Sequence, residues 1–134
     1  MTILIVIVGI ALLILIHEFG HFLAAKKFGL LVEEFGIGFP PRLWAKKRGE
    51  TIYSINLLPF GGFVRIYGEE RDGKSAEENR GRSFAYQPTW KRALIVIAGV
   101  VMNFLLGGLL LSLIFAIGTP KAVLISDVLP ESPA

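Results

Sequence analysis

The sequence predicts an α-helical membrane protein in which two transmembrane helices flank a β-rich loop. Hydrophobic residues make up 53% of the 134 residues and charged residues only 19%, whereas about 25% of the residues in a typical soluble domain are charged. The hydrophobic residues are concentrated near the two ends of the chain, and nearly all of the cations lie between them. The chain has no cysteine, which excludes disulfide scaffolds and Cys-ligated metal sites.

The first apolar segment predicts a transmembrane helix over residues 1–26. From Ile3 to Ile16 every residue except Gly9 is Ala, Val, Ile or Leu, and the apolar character continues to Ala25. At about 1.5 Å per residue, the segment reaches about 34 Å, enough to cross roughly 30 Å of hydrocarbon. A cleaved signal peptide is the competing interpretation. It requires a basic start, whereas the basic pair Lys26-Lys27 follows the apolar run.

The second apolar segment, residues 93–117, contains no charged residue. It lies within a unit predicted over 83–118, which opens with an aromatic and basic interfacial anchor. The loop 26–92 holds thirteen of the fourteen Lys and Arg residues against eight acids. Because positively charged loops stay in the cytoplasm, we expect a multi-pass protein of the cell (inner) membrane whose loop is cytoplasmic and whose N-terminus and C-terminal tail are extracytoplasmic. No recognition pattern for nucleic acid accompanies the charge, so we expect no nucleic-acid partner.

One short motif in the first helix carries chemistry: His17-Glu18-Phe19-Gly20-His21. Residues four apart share a helix face, so His17 and His21 can bind one tetrahedral Zn²⁺ while Glu18 lies beside it and serves as catalytic acid/base. The alternative is two histidines packed in a helical bundle with a stray glutamate. That alternative is disfavoured because a charge at the centre of a spanning helix costs about 2.5–3.5 kcal/mol. We therefore predict a metal site at membrane depth.

The loop between the helices has a strand pattern over residues 27–70. Every second residue from Phe35 to Phe39 is apolar, a second alternation covers 52–57, and a third run covers 63–67. A hairpin is predicted around Gly49. Apolar strands are tolerated at membrane depth only where they are buried in protein or line a wet cavity. The alternative is a small cytoplasmic sheet resting on the lipid headgroups.

The residues that follow the predicted strands carry no recognisable chemistry. Residues 71–82 are almost entirely polar, and we expect a polar cytoplasmic segment there. Beyond the second helix, residues 119–134 contain a short apolar run followed by a proline-bounded turn.

The order of the motifs resembles the site-2 protease family of intramembrane zinc metalloproteases, and in particular its bacterial regulator-of-sigma-E type. The matching motifs are His17-Glu-Phe-Gly-His21, Phe35-Gly-Ile-Gly-Phe39, Leu58-Pro-Phe-Gly-Gly-Phe-Val64 and Gly99-Val-Val-Met-Asn103. The resemblance implies zinc-dependent cleavage of transmembrane segments of membrane proteins, within the lipid bilayer. It also implies a partly re-entrant β-hairpin whose strand edge pairs with the unwound substrate, and the start of a PDZ-like domain at 119–134.

The roles that the resemblance implies transfer residue by residue. His17 and His21 match the zinc ligands, and Glu18 matches the catalytic acid/base. Asn103 matches a polar position associated with holding the substrate, and Gly99 shares its helix face, so both are candidate substrate-binding residues. The alternative for Gly99 and Asn103 is a plain packing face of small residues with a buried amide.

The sequence departs from the family pattern in one respect. A catalytic zinc takes three protein ligands plus water, and the family's third ligand is an aspartate in a Leu-Asp-Gly segment that does not occur here. We therefore expect an N-terminal portion of a longer enzyme, or half of a split one, that is inactive without a downstream membrane region. The other function class is a non-catalytic scaffold or substrate-binding module. It is disfavoured because a scaffold has no reason to keep three costly polar groups in lipid.

Overall fold

The computed structural model describes residues 1–69 and 79–118. Its elements, in chain order, are helix α1 (Thr2–Lys27), strand β1 (Val32–Arg48), strand β2 (Thr51–Ile66), two short 3₁₀ turns (Arg80–Arg82 and Phe84–Tyr86) and helix α2 (Thr89–Ile117). The expected start of a PDZ-like domain at 119–134 and most of the predicted polar segment lie outside the described residues.

Helices α1 and α2 are both long and apolar enough to cross a membrane, by length and composition. Only 6% of the most apolar window of α1 and 11% of that of α2 are buried within the described structure, so most of their side chains face outward. This exposure fits helices surrounded by lipid better than the core helices of a soluble protein. Helix α2 begins at Thr89, ahead of the apolar run predicted from residue 93, and Pro88 precedes it at the N-cap.

Strands β1 and β2 form an antiparallel two-stranded sheet with a tight turn at Gly49, where φ is +65°. The hairpin predicted there is therefore confirmed. Both strands bend, so that residues 34–37 of β1 pair with two segments of β2, 52–55 and 62–65. The runs predicted as separate strands belong to one continuous strand, because Gly61, with φ +95°, bends the chain without ending the ladder.

The sheet packs along α1. At the bend of β2, a Cβ atom on Gly61 would lie 2.7 Å from Cγ2 of Ile14, and one on Gly62 would lie 3.0 Å from Cδ1 of Leu15. Ile14 lies about 20 Å along the helix axis from Lys27, at the end of α1. The bend of β2 therefore lies beside the middle of the apolar helix.

A buried carboxylate holds the bent strands together. Glu34 is only 3% exposed. Arg42 Nη2 donates to both of its carboxylate oxygens at 2.7 and 2.8 Å, and Ser54 Oγ donates at 2.6 Å. Arg65 Nη1 lies 3.7 Å away. Because removing one partner from such a cluster leaves an uncompensated charge, Glu34 stabilises the hairpin, a role that the sequence analysis did not assign.

Arg82, the last residue of the segment predicted over 71–82, takes part in the folded structure. Its guanidinium donates to the carboxylate of Glu50, in the hairpin turn, at 2.6 and 2.8 Å. Lys26 Nζ, near the end of α1, donates to the same carboxylate at 3.0 Å. Arg82 first and Lys26 second lower the pKa of Glu50 to about 2. The end of this polar segment thus fastens the hairpin turn to α1, which the absence of apolar residues did not reveal.

Candidate metal centre

Helix α1 brings His17, Glu18 and His21 together on one side. One potential ligand atom from each residue lies within 4.8 Å of the others. The two imidazole rings are 4.7 Å apart between centroids, with an angle of 83° between their planes. The ligand atoms of a tetrahedral zinc are about 3.3 Å apart, so the three atoms already lie near the spacing that a zinc ion requires.

The backbone of α2 sets the tautomer of His21. Nδ1 of His21 lies 2.7 Å from the carbonyl oxygen of Ile95. A carbonyl oxygen only accepts hydrogen bonds, so Nδ1 of His21 carries the proton and donates it. The lone pair of Nε2 is then available to a metal, an arrangement common among metal-binding histidines.

Gly99 of α2 lies where the two imidazoles converge. A Cβ atom on Gly99 would lie 2.7 Å from Nε2 of His17 and 2.7 Å from Nε2 of His21. The two nitrogens therefore approach the same small volume, and glycine leaves that volume open. Two converging imidazole nitrogens beside the Glu18 carboxylate form a donor set that suits Zn²⁺. The residues present thus fit the predicted metal.

The close approach of the helices depends on a second glycine, which the sequence analysis quoted within the motif but gave no role. A Cβ atom on Gly20 would lie 2.5 Å from the carbonyl oxygen of Ala98 and 2.8 Å from Cγ of Met102. Only a residue without a side chain fits there, as is common where spanning helices approach closely. The position of Gly20 inside the motif, one residue before His21, was the sequence feature that could have indicated this role. Ile95, by contrast, acts through its backbone carbonyl, so no feature of the sequence indicated its role.

Asn103 lies one turn beyond Gly99 on α2. Its Nδ2 is 3.4 Å from Nδ1 of His17, and its Oδ1 is buried without a hydrogen-bond partner among the described residues. His17 and Asn103 line an open groove along α2 that continues past Gly107 and Gly108. The structure thus places both predicted α2 residues, Gly99 and Asn103, directly against the histidines.

Glu18 faces a separate cavity of about 250 Å³ between α1, the end of β2 and the start of α2. His21, Ile66, Glu69 and Ile95 contribute to its lining. A water molecule occupies about 30 Å³ in the liquid, so this cavity can admit several. The carboxylate therefore has room for water beside it, on the side of the hairpin.

The sequence pattern of peptidase family M50 matches residues 5–129. The chain belongs to peptidase family M50. This assignment confirms the resemblance to the site-2 protease family, and the membership agrees with two helices apolar enough to span a membrane.

Relatives of this M50 chain carry protease names. A candidate zinc metalloprotease of Thermotoga maritima is 41% identical over 90% of this chain and 24% of its own length. A candidate zinc metalloprotease of Clostridium perfringens is 40% identical over 100% of this chain and 38% of its own length. Protease RseP of Yersinia pestis is 42% identical over 94% of this chain and 28% of its own length. The M50 chain therefore spans between about a quarter and two fifths of these relatives.

Proposed function

We propose that this M50 chain contributes two zinc ligands, His17 and His21, and the catalytic acid/base, Glu18, to an intramembrane zinc metalloendopeptidase. The convergence of both Nε2 atoms beside Gly99, next to a carboxylate, is the observation that carries the proposal. His17 lies about 21 Å along α1 from Ile3, so the centre belongs at membrane depth. The substrates would be transmembrane segments of membrane proteins.

The metal and the side chains of the protein supply different parts of the chemistry. When bound, zinc supplies a Lewis acid that polarises the peptide carbonyl and makes water more acidic. The Glu18 carboxylate takes the proton of the attacking water and passes it to the nitrogen of the leaving amine. The His21 hydrogen bond to Ile95 O holds one imidazole in place throughout. The cavity beside Glu18 provides room for the attacking water next to the carboxylate.

In this proposal the β-sheet presents the substrate to the metal site. The bend of β2 contacts Ile14, which lies about one helical turn from His17. Within the described residues, segment 62–65 pairs along one side only, with β1. An unwound substrate strand can add to such an edge through main-chain hydrogen bonds. This placement supports the partly re-entrant hairpin over a sheet resting on the headgroups.

The surroundings of the site complete the proposal. The protein resides in the inner membrane with the loop 26–92 in the cytoplasm, as the thirteen cations of that loop favour. A catalytic zinc takes three protein ligands, and the family resemblance implies an aspartate of a later membrane region as the third. We propose that cleavage requires that aspartate.

Two substitutions separate metal binding from chemistry. In purified protein reconstituted with the downstream membrane region of a relative, His17→Ala is expected to lower the zinc content sharply. Glu18→Gln is expected to retain zinc and end cleavage of a transmembrane substrate. Glu33→Gln makes the same acid-to-amide change on β1, outside the site, and should retain both properties.

Three results would contradict the proposal. Equal zinc content in the wild type and His17→Ala would remove His17 from the metal site. Full cleavage by Glu18→Gln would remove the acid/base role, and zinc binding without any Glu18-dependent cleavage would favour a non-catalytic scaffold.

A further inference from the structure

We propose that Asn103 is a positioning residue of the metal centre: its Oδ1 accepts a hydrogen bond from Nδ1–H of His17, leaving Nε2 of His17 free to bind zinc. The inference rests on the zinc site of the proposed function. It gives Asn103 a role inside the protein, in contrast to the substrate contact that the family resemblance implies.

Three residues of α2 face the histidine pair at intervals of one helical turn. The carbonyl oxygen of Ile95 lies 2.7 Å from Nδ1 of His21. Gly99 lies against Nε2 of both histidines. Asn103 Nδ2 lies 3.4 Å from Nδ1 of His17. Each Nδ1 atom therefore meets a polar group of α2, one turn to either side of the point where the Nε2 atoms converge.

The tautomers decide whether both histidines can bind one ion. A neutral imidazole carries a single proton, and the nitrogen that binds a metal must be the unprotonated one. Because both Nε2 atoms point at the same volume, both protons belong on Nδ1. The Ile95 carbonyl enforces this for His21. His17 needs an equivalent acceptor. Among the described residues, the carboxamide of Asn103 is the polar group that lies at its Nδ1.

The carboxamide of Asn103 can supply that acceptor in one of its two orientations. In the orientation described, the NH₂ group faces Nδ1 of His17, while Oδ1 is buried and has no partner in the described part of the chain. An NH₂ group only donates, so this orientation favours the proton of His17 on Nε2, where it blocks zinc. Rotating the carboxamide by 180° exchanges the two ends. Oδ1 then gains a donor, and His17 gains the same tautomer as His21.

The test compares zinc affinity in three variants of the full chain in detergent, by competition with a chromophoric chelator. Asn103→Leu removes the acceptor and is expected to weaken zinc binding by about 10- to 100-fold, the usual effect of losing such a partner. Asn103→Asp can only accept and is expected to bind zinc at least as tightly as the wild type. Ser112→Ala removes a hydroxyl on the same helix that donates to Gly108 O, and should leave affinity unchanged.

A spectroscopic measurement follows the proton itself. The chain has only two histidines, so ¹⁵N-histidine NMR of the zinc-free protein, in which no metal dictates the tautomer, gives two resolvable rings. We expect both to carry a protected Nδ1–H in the wild type and in Asn103→Asp. In Asn103→Leu only His21 should retain it. Circular dichroism of each variant confirms that its helices are intact.

The possible failures are distinguishable. If Asn103→Leu binds zinc as the wild type does while His17→Ala does not, the zinc site stands and the role of Asn103 is wrong. If Asn103→Asp loses zinc to the same extent as Asn103→Leu, Asn103 acts as a donor and the inference is overturned. If His17→Ala leaves zinc binding unchanged, the proposed metal site fails, and this inference fails with it.

Discussion

Replacing Gly99 with alanine tests the metal centre most directly. The added Cβ would lie 2.7 Å from Nε2 of His17 and from Nε2 of His21. An ordinary contact of a Cβ atom is 3.4 Å or longer, so the methyl group is about 0.7 Å too close to both nitrogens. Zinc–ligand distances tolerate deviations of only about 0.2 Å. Both nitrogens therefore cannot keep their positions around one ion in Gly99→Ala.

The expected loss of zinc affinity depends on whether the zinc-free or the zinc-bound protein carries the steric strain. Inserting a methyl group into a well-packed site costs typically about 1–3 kcal/mol. Without metal, either imidazole can rotate away and relieve the strain, whereas with metal both must stay. The cost therefore falls on the zinc-bound form and corresponds to an affinity about 5- to 150-fold weaker.

A matched control separates this effect from a general change in the helix. Gly107→Ala makes the same substitution on the same helix, where a Cβ atom would meet no atom of residues 1–69 and 79–118 within 4 Å. Both variants gain about 1 kcal/mol of helix propensity. Zinc affinity is measured by chelator competition in detergent, and Co²⁺ absorption reports the coordination geometry. We expect a loss in Gly99→Ala only.

One result would refute the argument. If Gly99→Ala binds zinc as tightly as Gly107→Ala, with its helices intact by circular dichroism, the imidazoles do not converge at Gly99. The metal would then have to be held on another side of α1.

Three further predictions concern the loop. Arg82→Gln should raise the pKa of Glu50 from about 2 toward its ordinary value of 4.5, measured by ¹³C NMR titration; an unchanged midpoint would contradict the contact. Because the pKa is lowered in the folded state, the Glu50 contacts stabilise the fold above about pH 4.5 and are lost as the pH falls toward 2. Glu34→Gln should destabilise the hairpin by about 1–3 kcal/mol, since it leaves buried polar groups poorly paired; unaltered hydrogen exchange of the sheet amides would show otherwise. A single cysteine at Ser75 should resist an impermeant thiol reagent added to intact cells, and one at Ser132 should react, because the cationic loop is cytoplasmic; reversed labelling would overturn the orientation.

Local features of the sequence were sufficient for several elements. The two helices followed from runs of apolar residues, and the turn at Gly49 followed from strand alternation on either side of it. The clustering of His17 and His21 followed from their spacing, because residues four apart always share a helix face. Each of these features involves residues close together in the chain, where backbone geometry alone sets the outcome.

Other features depend on contacts between residues far apart in the chain. The hydrogen bond from His21 to Ile95 O joins residues 74 positions apart, and its acceptor is a backbone atom with no side-chain signature. The charge cluster around Glu34 arises because the bend of β2 brings two of its segments against one stretch of β1. A loop acid gives no sign of such burial in the sequence.

The sequence by itself determined the class of the protein, its two apolar helices and the residues that can bind a metal, because composition and helical spacing are local properties. Only the tertiary structure decided that α2 crosses α1 beside that motif, with Gly20 against Ala98 and Gly99 against both imidazoles. It also decided that the tautomer of His21 is set by α2. The physical reason is close packing: whether two imidazole nitrogens can approach one point depends on the atoms that the neighbouring helix places, or leaves out, within about 3 Å of them.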